Sequence, residues 1–110
     1  MIPLDVSQIL QDASRAQSLD PCCYRDPQFL SFEHETLFRA GWISAGRADQ
    51  LPDQGDYFAF SVADTELVAV RDEQRVVRVF ANTCRHRAMR LLEPGRGSRR
   101  RLTCPFHAWT

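Results

Sequence analysis

"NTCRHRAMRLLEPGRGSRRRLTCPFHAWT", residues 82–110, is the stretch that decides the fold of this 110-residue chain. It contains two Cys/His pairs, Cys84-x-His86 and Cys104-x-x-His107, with 17 residues between them. Two thiolates and two imidazoles are enough to hold a tetrahedral zinc ion or one iron–sulfur cluster. The sequence therefore predicts a metal site built from two separate loops.

The spacing of these four residues favours a two-iron cluster over zinc. Structural zinc sites usually begin with two Cys residues two to four positions apart, whereas each pair here combines one Cys with one His. A centre in which one iron takes both Cys and the other takes both His would draw on both loops for each iron, and the Rieske [2Fe–2S] centre matches that description. A structural zinc domain is the less favoured alternative.

Hydrophobic periodicity changes from helical to alternating near Gly41. Asp26-Pro27 is a strong helix start, and Gly41 is typical of a helix end. Weaker helical periodicity covers residues 6–17. We therefore expect a helical lead-in over residues 1–41, with one or two helices, followed by a mainly β, antiparallel domain over residues 42–110.

Short alternating segments after Gly41 predict an antiparallel meander. "EPGRGS" at 93–98 instead predicts a turn. The Cys/His pairs would then lie in loops at strand ends. The predicted strands are "WISAG" (42–46), "DYFAFSV" (56–62), "TELVAVR" (65–71), "RVVRVFA" (75–81) and the strand-like "RRRLTC" (99–104).

Charge is distributed unevenly along the chain, although the net charge is zero. Residues 1–83 contain 7 Arg and 13 acidic residues, and residues 84–110 contain 7 Arg and one Glu. We expect the positive charge near the Cys/His pairs to favour a reduced cluster and to attract an acidic electron donor. Aromatic residues are not interleaved with the Arg run, so no nucleic-acid site is predicted.

The composition of the chain indicates an ordinary soluble globular protein. No segment approaches the ~18 apolar residues of a membrane span, and the N-terminus lacks the pattern of a signal peptide, so we expect a cytoplasmic protein without a membrane partner. Adjacent cysteines rarely pair with each other, so Cys22 and Cys23 are predicted to be packing residues. His34 has no partner motif and is predicted to be a surface or packing residue.

Residues 21–110 resemble the N-terminal part of the alpha (large) subunit of Rieske non-haem iron ring-hydroxylating oxygenases. The two pairs match the Rieske motif C-x-H-x(15–17)-C-x-x-H. The resemblance implies that Cys84 and Cys104 bind one iron, that His86 and His107 bind the other, and that Trp109 packs over the cluster. It also extends to "YRDPQFLSFEHETLFRAGW" (24–42), "GRADQLPDQGDYFAF" (46–60), "VRVFANTCRHR" (77–87) and "CPFHAWT" (104–110).

This resemblance implies one-electron transfer within an aromatic-ring-hydroxylating mono- or dioxygenase, an oxidoreductase. Electrons would come from a reductase or ferredoxin and pass through the cluster to a mononuclear Fe(II) in a downstream catalytic domain. Residues 1–110 do not include that domain, so we expect a C-terminally incomplete chain without its own catalytic residues, and a homo-oligomer, a trimer in the family, for the complete protein. A stand-alone Rieske ferredoxin is the alternative, but such carriers begin almost directly with strands.

Two positions in the ligand loops depart from the family pattern. The family often has Gly after the His-Arg of the first loop and after the second His, where this chain has Ala88 and Ala108. Glycine supplies a backbone freedom that alanine lacks. The backbone of each ligand loop therefore has less conformational freedom here than in relatives that carry glycine.

Overall fold

The computed structural model describes residues 5–110, which form two compact units, one ending at Trp42 and one spanning Ile43–Thr110. Helix α1, Pro27–Glu33, lies in the first unit and continues as a π-helical turn over His34–Phe38. The Asp26 side chain accepts the Gln28 N–H at 2.8 Å and caps α1, as its sequence predicts. No helix within residues 5–110 is long and apolar enough to cross a membrane.

The weaker of the two expected helices, over residues 6–17, is absent, and these residues form isolated turns. The Trp42 side chain at the end of the first unit is fully exposed. Weak periodicity without strong caps does not offset the cost of helix nucleation.

The second unit is a four-stranded antiparallel sheet with the strand order β3-β2-β1-β4. The meander predicted from alternation is confirmed for its first three strands, and the fold class with it. Ala63 and Asp64 join β1 to β2 with φ values of 45° and 62°, as a type I′ hairpin requires. The strands are β1 Asp56–Val62, β2 Thr65–Arg71, β3 Val77–Ala81 and β4 Gly95–Ser98.

Strand β4 was predicted to be a turn, and two predicted strands, 42–46 and 99–104, are absent. β4 forms because it pairs with the otherwise free edge of β1, from Asp56 opposite Ser98 to Ala59 opposite Gly95. The glycines of β4, which suggest a turn in the sequence, allow this pairing. A Cβ on Gly97 would lie 2.7 Å from the Tyr57 hydroxyl oxygen, so only glycine admits the tyrosine ring here.

The core of the second unit covers one face of the sheet and anchors the Cys/His segment. Ala59, Val68 and Leu92 are its buried members. The partly buried residues packed against them include Leu91 and Leu102. The chain between the two Cys/His pairs is therefore fastened to the sheet after the first pair and again before the second. The other residues packed on this cluster are Tyr57 and Val70.

Replacing Val68 by alanine tests this core. Val68 is 0% exposed, so the Val68→Ala protein should lose about 2 kcal/mol of unfolding free energy through lost apolar contact and a residual cavity. Urea titration would measure it as a lower midpoint with an unchanged slope. Val76→Ala is the matched control, because Val76 is 47% exposed and its truncation should cost less than about 0.5 kcal/mol. Equal losses in both proteins would show that Val68 is not at the core.

Candidate metal centre

The first Cys/His pair lies in a closed turn, residues 84–89, which we call the first loop. The Cys84 N–H donates to the Met89 carbonyl oxygen at 2.7 Å, and the Ala88 N–H donates to the Cys84 carbonyl oxygen at 2.9 Å. Both backbone polar groups of a buried cysteine are thereby paired inside its own loop. This closure gives the cysteine a fixed place at the base of the turn.

The second loop, residues 104–109, repeats the same turn. The Cys104 N–H donates to the Trp109 carbonyl oxygen at 2.7 Å, and the Ala108 N–H donates to the Cys104 carbonyl oxygen at 3.0 Å. Its histidine, however, occupies the fourth position of the loop, whereas His86 occupies the third position of the first loop. The one-residue offset between the motifs C-x-H and C-x-x-H is therefore a difference in side-chain placement on one shared backbone turn.

Ala88 and Ala108 occupy the same position in the two loops and have left-handed backbones, with φ values of 55° and 57°. Such a conformation is strained for alanine and free of strain for glycine. The glycine that the family often carries at these positions thus has a physical reason. This chain holds the same turns with alanine, at a cost in conformational energy.

The structure brings the four predicted ligand residues together as two pairs. Cys84 and Cys104 are 7% and 3% exposed, and the Cys84 thiol hydrogen-bonds to the Cys104 sulfur. The His86 and His107 rings are exposed, and their centroids are 5.0 Å apart. The sulfur pair therefore lies inside the protein, and the nitrogen pair lies at its surface.

Cys104 is prepared for metal binding by its own loop. Backbone N–H groups of His107 and Phe106 hydrogen-bond to its sulfur and lower the pKa of the Cys104 thiol, while burial opposes them. The thiolate is the form of cysteine that binds metals. The loop backbone therefore favours the ligand form of Cys104 before any metal is present.

A binuclear cluster fits this donor set. Within residues 5–110, no three His, Cys, Asp or Glu side chains gather around one point as a single ion would require. The two buried sulfurs and the two exposed rings are separate pairs, and each could serve one metal of a two-metal group. A [2Fe–2S] cluster with one iron on the sulfurs and one on the nitrogens uses both pairs.

An aromatic side chain lies against each of the two histidines. The Trp109 ring stacks on the His86 ring of the other loop, with centroids 4.7 Å apart and an angle of 4° between the planes. Phe106 lies against His107 at 4.1 Å. Trp109 was expected to pack over the cluster; its observed contact is with a candidate ligand, and that contact links the two loops.

The arginines near the first loop differ in how they are paired. Arg90 directly follows the loop and forms ion pairs with Glu66 at 3.1 Å and Glu93 at 3.3 Å. Arg85 and Arg87 flank His86, are exposed, and have no carboxylate partner among residues 5–110. The positive charge that is not neutralised at this site comes mainly from these two residues.

Arg99, the first residue of the Arg run 99–101, lies at the end of the sheet opposite to the first loop. The Arg99 N–H donates to the Gly55 carbonyl oxygen at 2.9 Å, whereas the first loop begins beside Glu66, which pairs with Ser61 of β1. The seven residues from Gly55 to Ser61, six steps along the strand, span about 20 Å. That separation exceeds the roughly 8 Å screening length of physiological salt.

Asn82 is a site residue that the sequence reasoning missed. It is 0% exposed, the only buried polar side chain among residues 5–110, and it lies two positions before Cys84. Its carboxamide forms two hydrogen bonds with Leu92, at 2.7 and 3.0 Å. The signal in the sequence was a short polar residue at the end of an apolar strand, directly before the ligand motif.

Three other candidate residues lie in the first unit. The Asp20 carboxylate accepts a hydrogen bond that helps raise the pKa of the exposed Cys22 thiol to about 11, so Cys22 stays protonated at neutral pH. Cys23 is half-buried. His34 packs edge-on against Phe38, with ring centroids 5.8 Å apart. Cys23 and His34 thus agree with the roles predicted for them, whereas the packing role predicted for Cys22 is wrong because its side chain is exposed.

Comparison with known families identifies the domain that contains these loops. The model of the family described as the Rieske [2Fe-2S] domain matches residues 41–110. The chain belongs to that family. The Rieske domain binds a [2Fe–2S] cluster, and the mainly antiparallel fold is the one that its relatives share.

Oxygenase subunits are prominent among the relatives of this Rieske domain. It is 31% identical over 104 residues to the glycine betaine monooxygenase oxygenase subunit of Chromohalobacter salexigens, covering 94% of this chain and 23% of the relative. It is 34% identical over 91 residues to the biphenyl dioxygenase subunit alpha of Metapseudomonas furukawaii, covering 83% and 20%. The chain thus spans about a quarter or less of the length of these relatives.

Solved structures give the same result. The apo form of the quaternary ammonium Rieske monooxygenase CntA has a TM-score of 0.74 and 34% identity, with 80% of this chain and 26% of that chain covered. Naphthalene 1,2-dioxygenase from Rhodococcus sp. has a TM-score of 0.79 and 26% identity, with 94% and 24% covered. The chain corresponds to the Rieske part of such oxygenases.

Glycine substitutions should relax both loops. Ala88→Gly and Ala108→Gly should each stabilise the protein by about 0.5–1 kcal/mol, because glycine adopts the left-handed backbone without steric cost. Chemical denaturation would measure the gain. Ala81→Gly is the control: Ala81 is exposed in β3, so glycine there should destabilise by about 0.5–1 kcal/mol. A loss in all three proteins would contradict strain in the loops.

Proposed function

We propose that this chain transfers single electrons through a [2Fe–2S] cluster held by Cys84 and Cys104 on one iron and His86 and His107 on the other. The observation that carries this proposal is the division of the four donors into a buried sulfur pair and an exposed imidazole pair. Thiolates inside the protein would keep the cluster in place. Imidazoles at the surface would bring one side of it within reach of a redox partner.

The side chains around the site support electron transfer rather than a purely structural role. When bound, a [2Fe–2S] cluster supplies one-electron redox chemistry, and two neutral imidazoles raise its potential relative to all-thiolate ligation. Trp109 and Phe106 each lie against one of the two imidazoles and support it from one side. Arg85 and Arg87 place positive charge beside His86, which favours added negative charge and attracts an acidic protein.

The complete protein is, in this proposal, the oxygenase subunit of a Rieske non-haem iron mono- or dioxygenase. Electrons would arrive from a reductase or ferredoxin and continue to a mononuclear Fe(II) held in another part of that protein. The names of the relatives support this, since they are oxygenase subunits. By the same resemblance we propose a cytoplasmic homo-oligomer, a trimer.

A stand-alone Rieske ferredoxin is supported less well. The match to the glycine betaine monooxygenase subunit covers 104 of the 110 residues and therefore includes most of the first unit. Helix α1 and its Asp26 cap thus belong to a region shared with an oxygenase subunit. A free carrier would need no such lead-in.

Metal and sulfide analysis tests the proposed cluster. Purified anaerobically, the protein should contain two irons and two acid-labile sulfides per chain and, once reduced, give the EPR signal of a mixed sulfur- and nitrogen-ligated cluster. Cys104→Ser should abolish both, because serine does not replace a thiolate ligand. Cys22→Ser is the matched control and should keep the full content. One zinc per chain with no sulfide would refute the proposal.

Charge reversal beside His86 tests the route of electron entry. The Arg85→Glu, Arg87→Glu double variant should be reduced by an acidic plant-type ferredoxin about 10–100-fold more slowly at low ionic strength, because electrostatic attraction is lost. Stopped-flow absorbance would follow the reaction, and added salt should narrow the difference.

The Arg99→Glu, Arg100→Glu variant is the matched control for that experiment. It carries the same change in net charge at the opposite end of the sheet, so its rate should fall by less than about threefold. Equal slowing of both variants would mean that the donor responds to total charge, and that Arg85 and Arg87 have no special part.

A further inference from the structure

Asn82 connects the first loop to two parts of the sheet unit. Its side-chain Nδ2 donates to the Leu92 carbonyl oxygen at 2.7 Å, and its Oδ1 accepts the Leu92 N–H at 3.0 Å. Its backbone N–H donates to the Glu66 carbonyl oxygen of β2 at 2.9 Å, and its carbonyl oxygen accepts the Leu91 N–H at 3.3 Å. Four hydrogen bonds thus converge on one fully buried residue.

These bonds lie at the base of the first loop, where residues 82–83 lead into it and residues 90–92 lead out of it; we call this base the neck. Thr83 pairs with Arg90 as an isolated β-bridge, which lies between Asn82 and the first loop. Cys84 and Met89, the end residues of the loop, close its turn. Leu92, on the returning side, belongs to the buried core. Asn82 therefore joins the outgoing strand, the returning chain and the core just below Cys84.

A carboxamide is required here by the backbone of Leu92. Leu92 is 8% exposed, so its N–H and carbonyl groups need partners inside the protein, and Asn82 supplies one donor and one acceptor. An apolar residue at this position would leave both groups unpaired, at about 1–3 kcal/mol each. Opening of the neck would then let water pair with these two groups and remove that cost.

We propose that Asn82 is a positioning residue for the cluster: its carboxamide fixes the first loop so that Cys84 and His86 stay aligned with Cys104 and His107. The inference rests on the proposed function, since it needs the cluster to lie between the loops. The second loop has its own anchor at Leu102, so loosening the neck at Asn82 moves one half of the donor set relative to the other. Positioning groups behind metal ligands typically change metal affinity 10–100-fold when removed.

The test compares Asn82→Ala with a control that destabilises the fold without touching the neck. Leu51→Ala is that control, since Leu51 is 4% exposed and lies beside Phe58 and Ala69, on the sheet face opposite to Leu92. Both cluster-loaded proteins would be incubated with a chelator under conditions where circular dichroism shows them folded. Absorbance and EPR would follow the cluster.

Asn82→Ala should lose its cluster about tenfold faster than the wild type and give an EPR spectrum of altered line shape before the loss. Leu51→Ala should keep the wild-type spectrum and lose its cluster within about threefold of the wild-type rate. Matching spectra and loss rates in the two variants would reduce Asn82 to an ordinary fold residue and overturn the inference. If the wild type itself retains no cluster, the proposed function fails first.

A measurement on the wild type covers the case in which Asn82→Ala does not fold. The Leu92 amide should exchange its hydrogen as slowly as the paired amides of β2, because Asn82 holds it. Exchange at the rate of an unprotected amide would contradict the positioning role. Asn82→Ser, a smaller change, should fall between the wild type and alanine in cluster loss.

Discussion

The packing of Leu92 and Leu102 against Ala59 and Val68 is the contact on which the site depends. The candidate ligands come from two loops with 17 residues between them, and no local interaction could bring such loops together. The intervening chain runs along β1 as β4 and is fastened to the sheet by leucines near both ends. Apolar burial therefore holds the two loops near each other, which the ligands themselves cannot do before a metal is bound.

The duplicated turn explains how a small domain obtains four donors of two kinds. Each loop buries one cysteine, pairs that residue's N–H and carbonyl groups internally, and displays one histidine. Because the histidines are offset by one position on a shared backbone, the motifs differ while the turns do not. The left-handed residue that completes each turn is an alanine in this chain, so the geometry is kept at the expense of backbone strain.

The positive charge at the metal centre depends on which arginines the fold places close to it. The sequence places most of the unbalanced arginines in the last 27 residues, yet the fold distributes them along the length of the sheet. Arg85 and Arg87 remain beside His86, Arg90 is neutralised by Glu66 and Glu93, and Arg99 lies at the end of the sheet opposite to the first loop. A count of charges along the chain therefore overstates the field at the metal centre.

The sequence by itself determined the cap of α1, the alternation of β1 to β3, and the donor types and spacing that indicate a Rieske centre. Each is a local signal, in which neighbouring residues interact or a short period repeats. The ligand assignment itself remains a prediction from that motif and its family. Only the tertiary structure decided that the glycines of β4 form a strand, that Trp109 stacks on His86, that Asn82 hydrogen-bonds to Leu92 below the first loop, and that Arg99 lies at the opposite end of the sheet. These features depend on which strand edge is free and which backbone groups are buried, and residues distant in the chain set both.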